Sequence, residues 1–231
     1  GGIFQGATQF NQDLSKWDVS KLTDMSSMFS GAAAFNQDLS NWDTGAVKSM
    51  LKVFEWATAF NQDLSNWNTG AVTSMSYMFN GAVAFNQDLS NWNTFAVTDM
   101  SYMFTSAGSF NSDIFRHTGG VIFMNHMFSG AVAFNQDLSK WDTGTVLRMG
   151  NMFHGATQFN QDLSKWNVGV VTQMVSIFLD SGMTQTLCGT AAHGGNAIPA
   201  LGWGKAGLTS EMLTARLGCC PPGTFMAQPN L

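Results

Sequence analysis

The chain has 231 residues, of which 11% are charged and 45% are hydrophobic, and its formal net charge at pH 7 is −5. The charged fraction lies far below the average of about 25% for globular domains, and the negative balance argues against a nucleic-acid partner, which requires a basic face. No apolar run reaches the roughly 18 residues that a membrane-spanning helix needs, so no transmembrane segment is predicted.

A tandem repeat governs the first three quarters of the chain. One phenylalanine marks each copy, and its positions are Phe10, Phe35, Phe60, Phe85, Phe110, Phe134 and Phe159. The step is 25 residues except from Phe110 to Phe134, where it is 24, so the fifth copy has lost one residue. A second phenylalanine series, from Phe4 to Phe178, keeps the same register. Such a unit cannot bury its apolar face alone, and stacked copies are therefore expected.

Two short elements are predicted in each copy. Leu39 lies among polar residues, which favours a strand of three or four residues centred on that leucine. The apolar residues that follow are spaced to share one face of a short helical or 3₁₀ turn: Val47, Met50, Val53 and Phe54. Parallel strands joined by right-handed crossovers are the expected hand. The predicted fold class is therefore an α/β repeat solenoid, and its central coil should bury Phe60, Leu64, Val72, Met75 and Phe79.

The full repeat, G-A-x-x-F-N-Q-D-L-S-x-W-[DN]-T-x-x-V-x-x-M-x-x-M-F as written from Gly31 through Phe79, extends over residues 1 to about 178. It resembles the BspA-like surface repeat of the DUF285 family, a branch of the leucine-rich repeats. The resemblance implies a right-handed leucine-rich-repeat-like solenoid on secreted or lipid-anchored surface proteins with adhesive or recognition roles. It implies no catalytic residues.

The motif tryptophans are candidate binding residues: Trp17, Trp42, Trp67, Trp92, Trp141 and Trp166. Exposed indoles would stack on sugar rings, whereas a buried column is favoured by their position at the end of each predicted strand. The shortened copy carries Phe115, Arg116 and His117, with His117 interpreted as the replacement for tryptophan. Arg116 and His117 are therefore a candidate docking spot in a locally remodelled coil, although neutral drift is the competing interpretation.

Polar columns accompany the apolar ones. The asparagines that follow the first phenylalanine series are expected to form an inward ladder that satisfies backbone groups of neighbouring coils. The aspartates two residues further on could bind calcium, but turn-capping carboxylates are favoured because each repeat supplies one carboxylate. Methionines in core positions argue against copper. No metal, cofactor or catalytic residue is predicted, since no nucleophile, base and orienting group converge.

Residues 179–231 lose the repeat and are predicted to form an irregular C-terminal cap with a short helix near 209–217. All three cysteines lie there, and a disulfide from Cys188 to Cys219 or Cys220 is one expectation, with three reduced thiols as the alternative. The chain begins within a repeat, which suggests a piece of a longer protein.

The expected function is a non-catalytic recognition or adhesion module, extracellular or on the cell surface, that presents a rigid flank to a protein or, less favoured, to a glycan. The alternative is a rigid structural or linker subunit of a large assembly, for instance within an organelle and associated with a membrane.

Overall fold

The computed structural model describes residues 1–183, in which the repeats lie on one another as stacked coils. We number the coils one to eight by the second phenylalanine series: Phe4, Phe29, Phe54, Phe79, Phe104, Phe128, Phe153 and Phe178. Parallel bridges join equivalent residues of successive coils: Asp24, Ser49, Ser74, Asp99, Phe123, Arg148 and Gln173. The deletion is absorbed between Asp99 and Phe123, so the register is the same on both sides of it. The predicted helix at 209–217 and the three cysteines lie outside the described residues, as does the predicted cap beyond residue 183.

The prediction of a short helical or 3₁₀ turn in each coil is wrong, because residues 1–183 contain neither an α-helix nor a 3₁₀-helix and consecutive β-turns take its place. In coil two these turns are Met25–Met28 and Phe29–Ala32, each closed by a 3.0 Å hydrogen bond from the last N–H to the first carbonyl. Their third residues, Ser27 and Gly31, have φ of 57° and 73°. A positive φ at the third position, with a negative φ at the second, is typical of a type II turn and is incompatible with a right-handed helix.

The backbone ladder between coils also lies in this turn segment, whereas a strand around the motif leucine was predicted. Alternate N–H groups of coil two donate to carbonyls of coil three, from Met25, Ser27 and Phe29, at 3.1, 2.8 and 2.9 Å. Of the intervening N–H groups, that of Ser26 donates to Asp24 Oδ1 and that of Met28 closes a turn, so the pairing never continues for long enough to form a strand. Only isolated bridges are found in residues 1–183.

The core consists of columns of identical side chains. Phe29 stacks on Phe35 within coil two at 4.1 Å between ring centroids, and on Phe54 of coil three at 5.5 Å. The five residues predicted to be buried in the middle of the array, which fall in coils three and four, are all 0% exposed: Phe60, Leu64, Val72, Met75 and Phe79. That prediction is confirmed. Each coil therefore buries its apolar residues against the two coils beside it.

Candidate functional site

The motif tryptophans beyond coil one are buried. Their exposed fractions range from 1% to 4%: Trp42, Trp67, Trp92, Trp141 and Trp166. Each indole N–H donates to a backbone carbonyl of the preceding coil, as Trp67 Nε1 does to Leu39 at 3.1 Å. A buried ring cannot stack on a sugar, so a glycan-binding role is wrong for these five residues. Trp17, in coil one, is 44% exposed.

Phe115, rather than His117, takes the place of the missing tryptophan in coil five. Phe115 is fully buried and stacks on Trp141 at 5.8 Å. Its carbonyl accepts the Trp141 indole N–H at 3.0 Å. Thr94 donates to the carbonyl of His117, as threonines of other coils donate to the residue after the motif tryptophan. His117 therefore occupies the position of Asn93, and the interpretation of His117 as the tryptophan replacement is wrong.

Arg116 and His117 are nevertheless both exposed. The His117 ring lies 4.0 Å from the ring of Phe95, which is 67% exposed and stands where five other coils have glycine. A depression of about 110 Å³ adjoins Arg116, and its other charged or amide lining residues are Asp113, Gln136, Asp137 and Lys140. Its two carboxylates balance its two cations, so this depression has no preferred ligand charge.

The third residue of the first turn varies widely between coils, and we call this set the turn row: Gly2, Ser27, Lys52, Tyr77, Tyr102, His126, Asn151 and Ser176. All of them have φ between 53° and 69°. The Tyr77 and Tyr102 rings stack at 4.4 Å, and the His126 ring stacks on Tyr102 at 4.5 Å. Lys52 Nζ lies 4.9 Å from the centre of the Tyr77 ring, within cation–π range. The row thus forms a partly exposed stack of a cation, two phenols and an imidazole.

The residues that form the inter-coil bridges are the second variable set, which we call the bridge row: Asp24, Ser49, Ser74, Asp99, Phe123, Arg148 and Gln173. Both rows meet at a depression of about 230 Å³, lined by Tyr102, Asn125, His126, Arg148, Gly150, Asn151 and Gln173. Arg148 lies with its guanidinium carbon 5.6 Å from the centre of the Phe123 ring. The turn row and the bridge row together are the variable flank.

The pKa of His126, which lines this depression, is shifted by burial and by a neighbouring histidine. Its pKa is lowered, chiefly because burial disfavours the charged imidazolium and secondly because His154 lies nearby. Its Nε2 lies 3.3 Å from Nδ2 of Asn151, which can donate to a neutral imidazole. The Tyr77 pKa is raised, first by burial and then by Tyr102. Neither tyrosine is predicted as a binding residue from the sequence, although the chain has two tyrosines and both occupy this one repeat position.

Coil three carries a second departure from the repeat. Trp56 stands where five other coils have glycine, is 51% exposed, and has φ of 56°. Its ring covers Gly81, where an added Cβ would lie 2.2 Å from Cε3 of the indole. Next to it, the buried Glu55 accepts hydrogen bonds from Ser30 and Asn80 and lies 3.4 Å from Lys52 Nζ. The carboxylate therefore ties three successive coils together beside the variable flank.

The polar columns cap turns. In six copies the motif aspartate accepts the N–H of the serine two residues later at 2.7 to 2.8 Å: Asp13, Asp38, Asp63, Asp88, Asp137 and Asp162. This backbone hydrogen bond is the main reason that the pKa of Asp38 is lowered. The asparagine ladder links coils as expected, with Asn36 Oδ1 accepting the Asn61 N–H at 2.9 Å. The prediction that it points inward is wrong, because its asparagines are half-buried or exposed.

Residues 1–183 contain neither a group of metal ligands nor a helix that could span a membrane. No three His, Cys, Asp or Glu side chains there converge as metal ligands would. No helix in this range has the length and apolar character needed to cross a bilayer.

These features define a tandem-repeat protein whose coils stack in parallel register and vary along one flank. The sequence matches the family described as "Mycoplasma protein of unknown function, DUF285" in three segments, residues 1–69, 38–118 and 116–187. The chain belongs to this family. No curated protein and no solved structure matches it.

Proposed function

We propose that this chain is a right-handed, leucine-rich-repeat-like solenoid that acts as a non-catalytic recognition or adhesion module at the cell surface, and that the variable flank binds a protein partner. The proposal rests on the repeat positions at which the residue type differs between coils. Core columns keep the same residue type through most of the stack, whereas the turn row carries glycine, serine, lysine, tyrosine, histidine and asparagine. A position whose only common requirement is a positive φ is free to match a partner.

The physical properties of the flank suit binding. Tyrosine and arginine are enriched at protein interfaces because they offer large contact areas with hydrogen-bonding ends. Tyr77, Tyr102 and His126 hold one another by ring stacking, so little side-chain freedom remains to be lost on docking. The cell-surface location rests on the family resemblance alone.

The test is binding of the intact chain to surface fractions and purified candidate proteins. A double variant, Tyr102→Ser with His126→Ser, introduces the residue that already stands at this position in coils two and eight. The matched control is Lys16→Asn, an exposed position outside the variable flank where coils two to four have asparagine. Loss of binding in the double variant alone, with unchanged melting, is the expected result.

The same assay separates the competing readings. If Arg116→Ala with His117→Ala loses the partner while the double variant keeps it, the binding surface is the coil-five spot and the flank assignment fails. If every variant remains bound within a large assembly, the chain is a structural subunit. Turnover of a substrate by the purified chain would overturn the non-catalytic assignment.

A further inference from the structure

The bridge row has a capping role in the early coils. Asp24 Oδ1 accepts the backbone N–H of Ser26 at 2.8 Å, and Asp99 Oδ1 accepts that of Ser101 at the same distance. In coils three and four a serine hydroxyl stands in the same place, at 3.5 and 3.4 Å from the corresponding nitrogen. The second residue of the first turn therefore presents an N–H that the repeat itself can satisfy with a carboxylate.

Coils six and seven lack this cap. Their bridge-row residues are Phe123 and Arg148, whose side chains have no acceptor atom. The N–H groups concerned belong to Asn125 and Gly150, and neither has a hydrogen-bond acceptor among residues 1–183. Both residues line the depression of about 230 Å³ on the variable flank. Gly150 is buried and Asn125 is half-buried as residues, and a backbone N–H that no protein group bonds can accept a partner from outside.

The surroundings favour an anion. Arg148 is exposed at the rim and lies against the Phe123 ring, which fixes the direction of its guanidinium group. Amide groups of Asn125, Asn151 and Gln173 add donors, and no carboxylate is among the lining residues. In a chain with net charge −5, this is a local surface of donors and positive charge. A guanidinium group beside backbone N–H groups is a typical carboxylate-binding arrangement.

We propose that the depression between coils five and eight binds a carboxylate, supplied by an aspartate or glutamate side chain of the partner protein. The carboxylate takes the place that Asp24 and Asp99 occupy in their own coils, which is why carboxylate chemistry is favoured over other anions. The assignment of the carboxylate to a protein side chain rests on the function proposed above. The prediction that the depression binds a carboxylate is independent of that function.

The first test is an NMR titration of the isotope-labelled chain with acetate near neutral pH. The amide protons of Asn125 and Gly150 are expected to move downfield and to saturate. Those of Ser26 and Ser101, already bonded to aspartate, serve as internal controls and should not move. Acetamide, which has the same shape without the charge, should produce no saturating shift. Equal shifts at all four amides, or none at Asn125 and Gly150, would overturn the site.

Two variants then examine the roles of the donors. Arg148→Gln should weaken acetate binding by about tenfold, since a hydrogen bond to a charged group is lost. Arg148→Asp restores the cap of the early coils, and the Gly150 amide should then be shifted without acetate and unresponsive to it. The amide spectra report folding in both cases. Unchanged acetate affinity in both variants would contradict the proposal.

The source of the carboxylate is tested by a short peptide with two aspartates, its asparagine counterpart, and glucuronate. The aspartate peptide should bind more tightly than glucuronate, and the asparagine peptide should not bind. Tighter binding of glucuronate would overturn the assignment to a protein side chain. If acetate binds but no partner is found, the proposed function fails while the site stands; if the flank binds a partner but acetate shifts neither amide, only this inference fails.

Discussion

The substitution Leu64→Ala tests how much the packing of one coil against its neighbours contributes to the free energy of unfolding. Leu64 is 0% exposed in coil three, between two complete coils. The substitution removes three carbons, worth about 2.4 kcal/mol at roughly 0.8 kcal/mol per buried carbon. A cavity term is added to that figure, so the expected loss of unfolding free energy is about 2 to 5 kcal/mol.

The comparison variant is Leu14→Ala, the same change at the same repeat position in coil one. Leu14 is 4% exposed and has a described coil on one side only. Its surroundings can relax into the gap, so the loss should be near the lower end of that range. The assay is urea unfolding followed by tryptophan fluorescence, with the slope checked for each variant because long repeat arrays can depart from two-state behaviour. Equal losses for the two variants, or a loss below about 1 kcal/mol for Leu64→Ala, would refute the stacking argument.

Three further predictions concern individual side chains. Trp67→Phe removes the indole N–H from the Leu39 carbonyl, and urea unfolding should show a loss of about 1 to 3 kcal/mol; an unchanged midpoint would mean that this hydrogen bond contributes nothing. Glu55→Ala leaves two buried donors without their acceptor and should also lower the unfolding free energy by about 1 to 3 kcal/mol, whereas Lys52→Ala should have a small effect because that partner is partly exposed. The pKa of His126 is lowered in the folded chain, so the unfolded chain binds a proton at this histidine more readily and stability should fall as pH drops through about 6.5. Melting curves between neutral and mildly acidic pH should show a weaker pH dependence for His126→Asn. The same pH dependence in the variant would exclude His126 as the cause.

The period and the core follow from the sequence because apolar side chains recur at fixed intervals and each column must be buried. The type of turn cannot be predicted from the sequence, because a positive φ is usually inferred from the presence of glycine. Here Tyr77 and Lys52 adopt it, held by the inter-coil hydrogen bonds of the turn segment. The apolar residues of that segment are spaced so that they fit one face of a helix as well as two consecutive turns. This ambiguity explains why a helical turn was predicted there.

Part of the candidate site could be predicted from the sequence and part could not. Counting seven residues from Phe110, as from Phe35 to Trp42, places His117 in the tryptophan column. The size and apolar character of Phe115 mark it as the residue that fills the buried space. Tyr102 and Arg148 could not be joined from the sequence, since they lie in coils five and seven and come together only when the coils stack.

The positive φ of the turn segments has a consequence for how such a surface changes over generations. Ten residues other than glycine hold this conformation in residues 1–183, and each costs roughly 1 to 2 kcal/mol relative to an unstrained backbone. A new side chain on the flank therefore lowers the stability of its own coil, while the neighbouring coils keep its geometry unchanged. Diversification is limited by the total stability of the stack rather than by the fit of each residue. Longer arrays, which bury more columns, can tolerate more such substitutions than short ones.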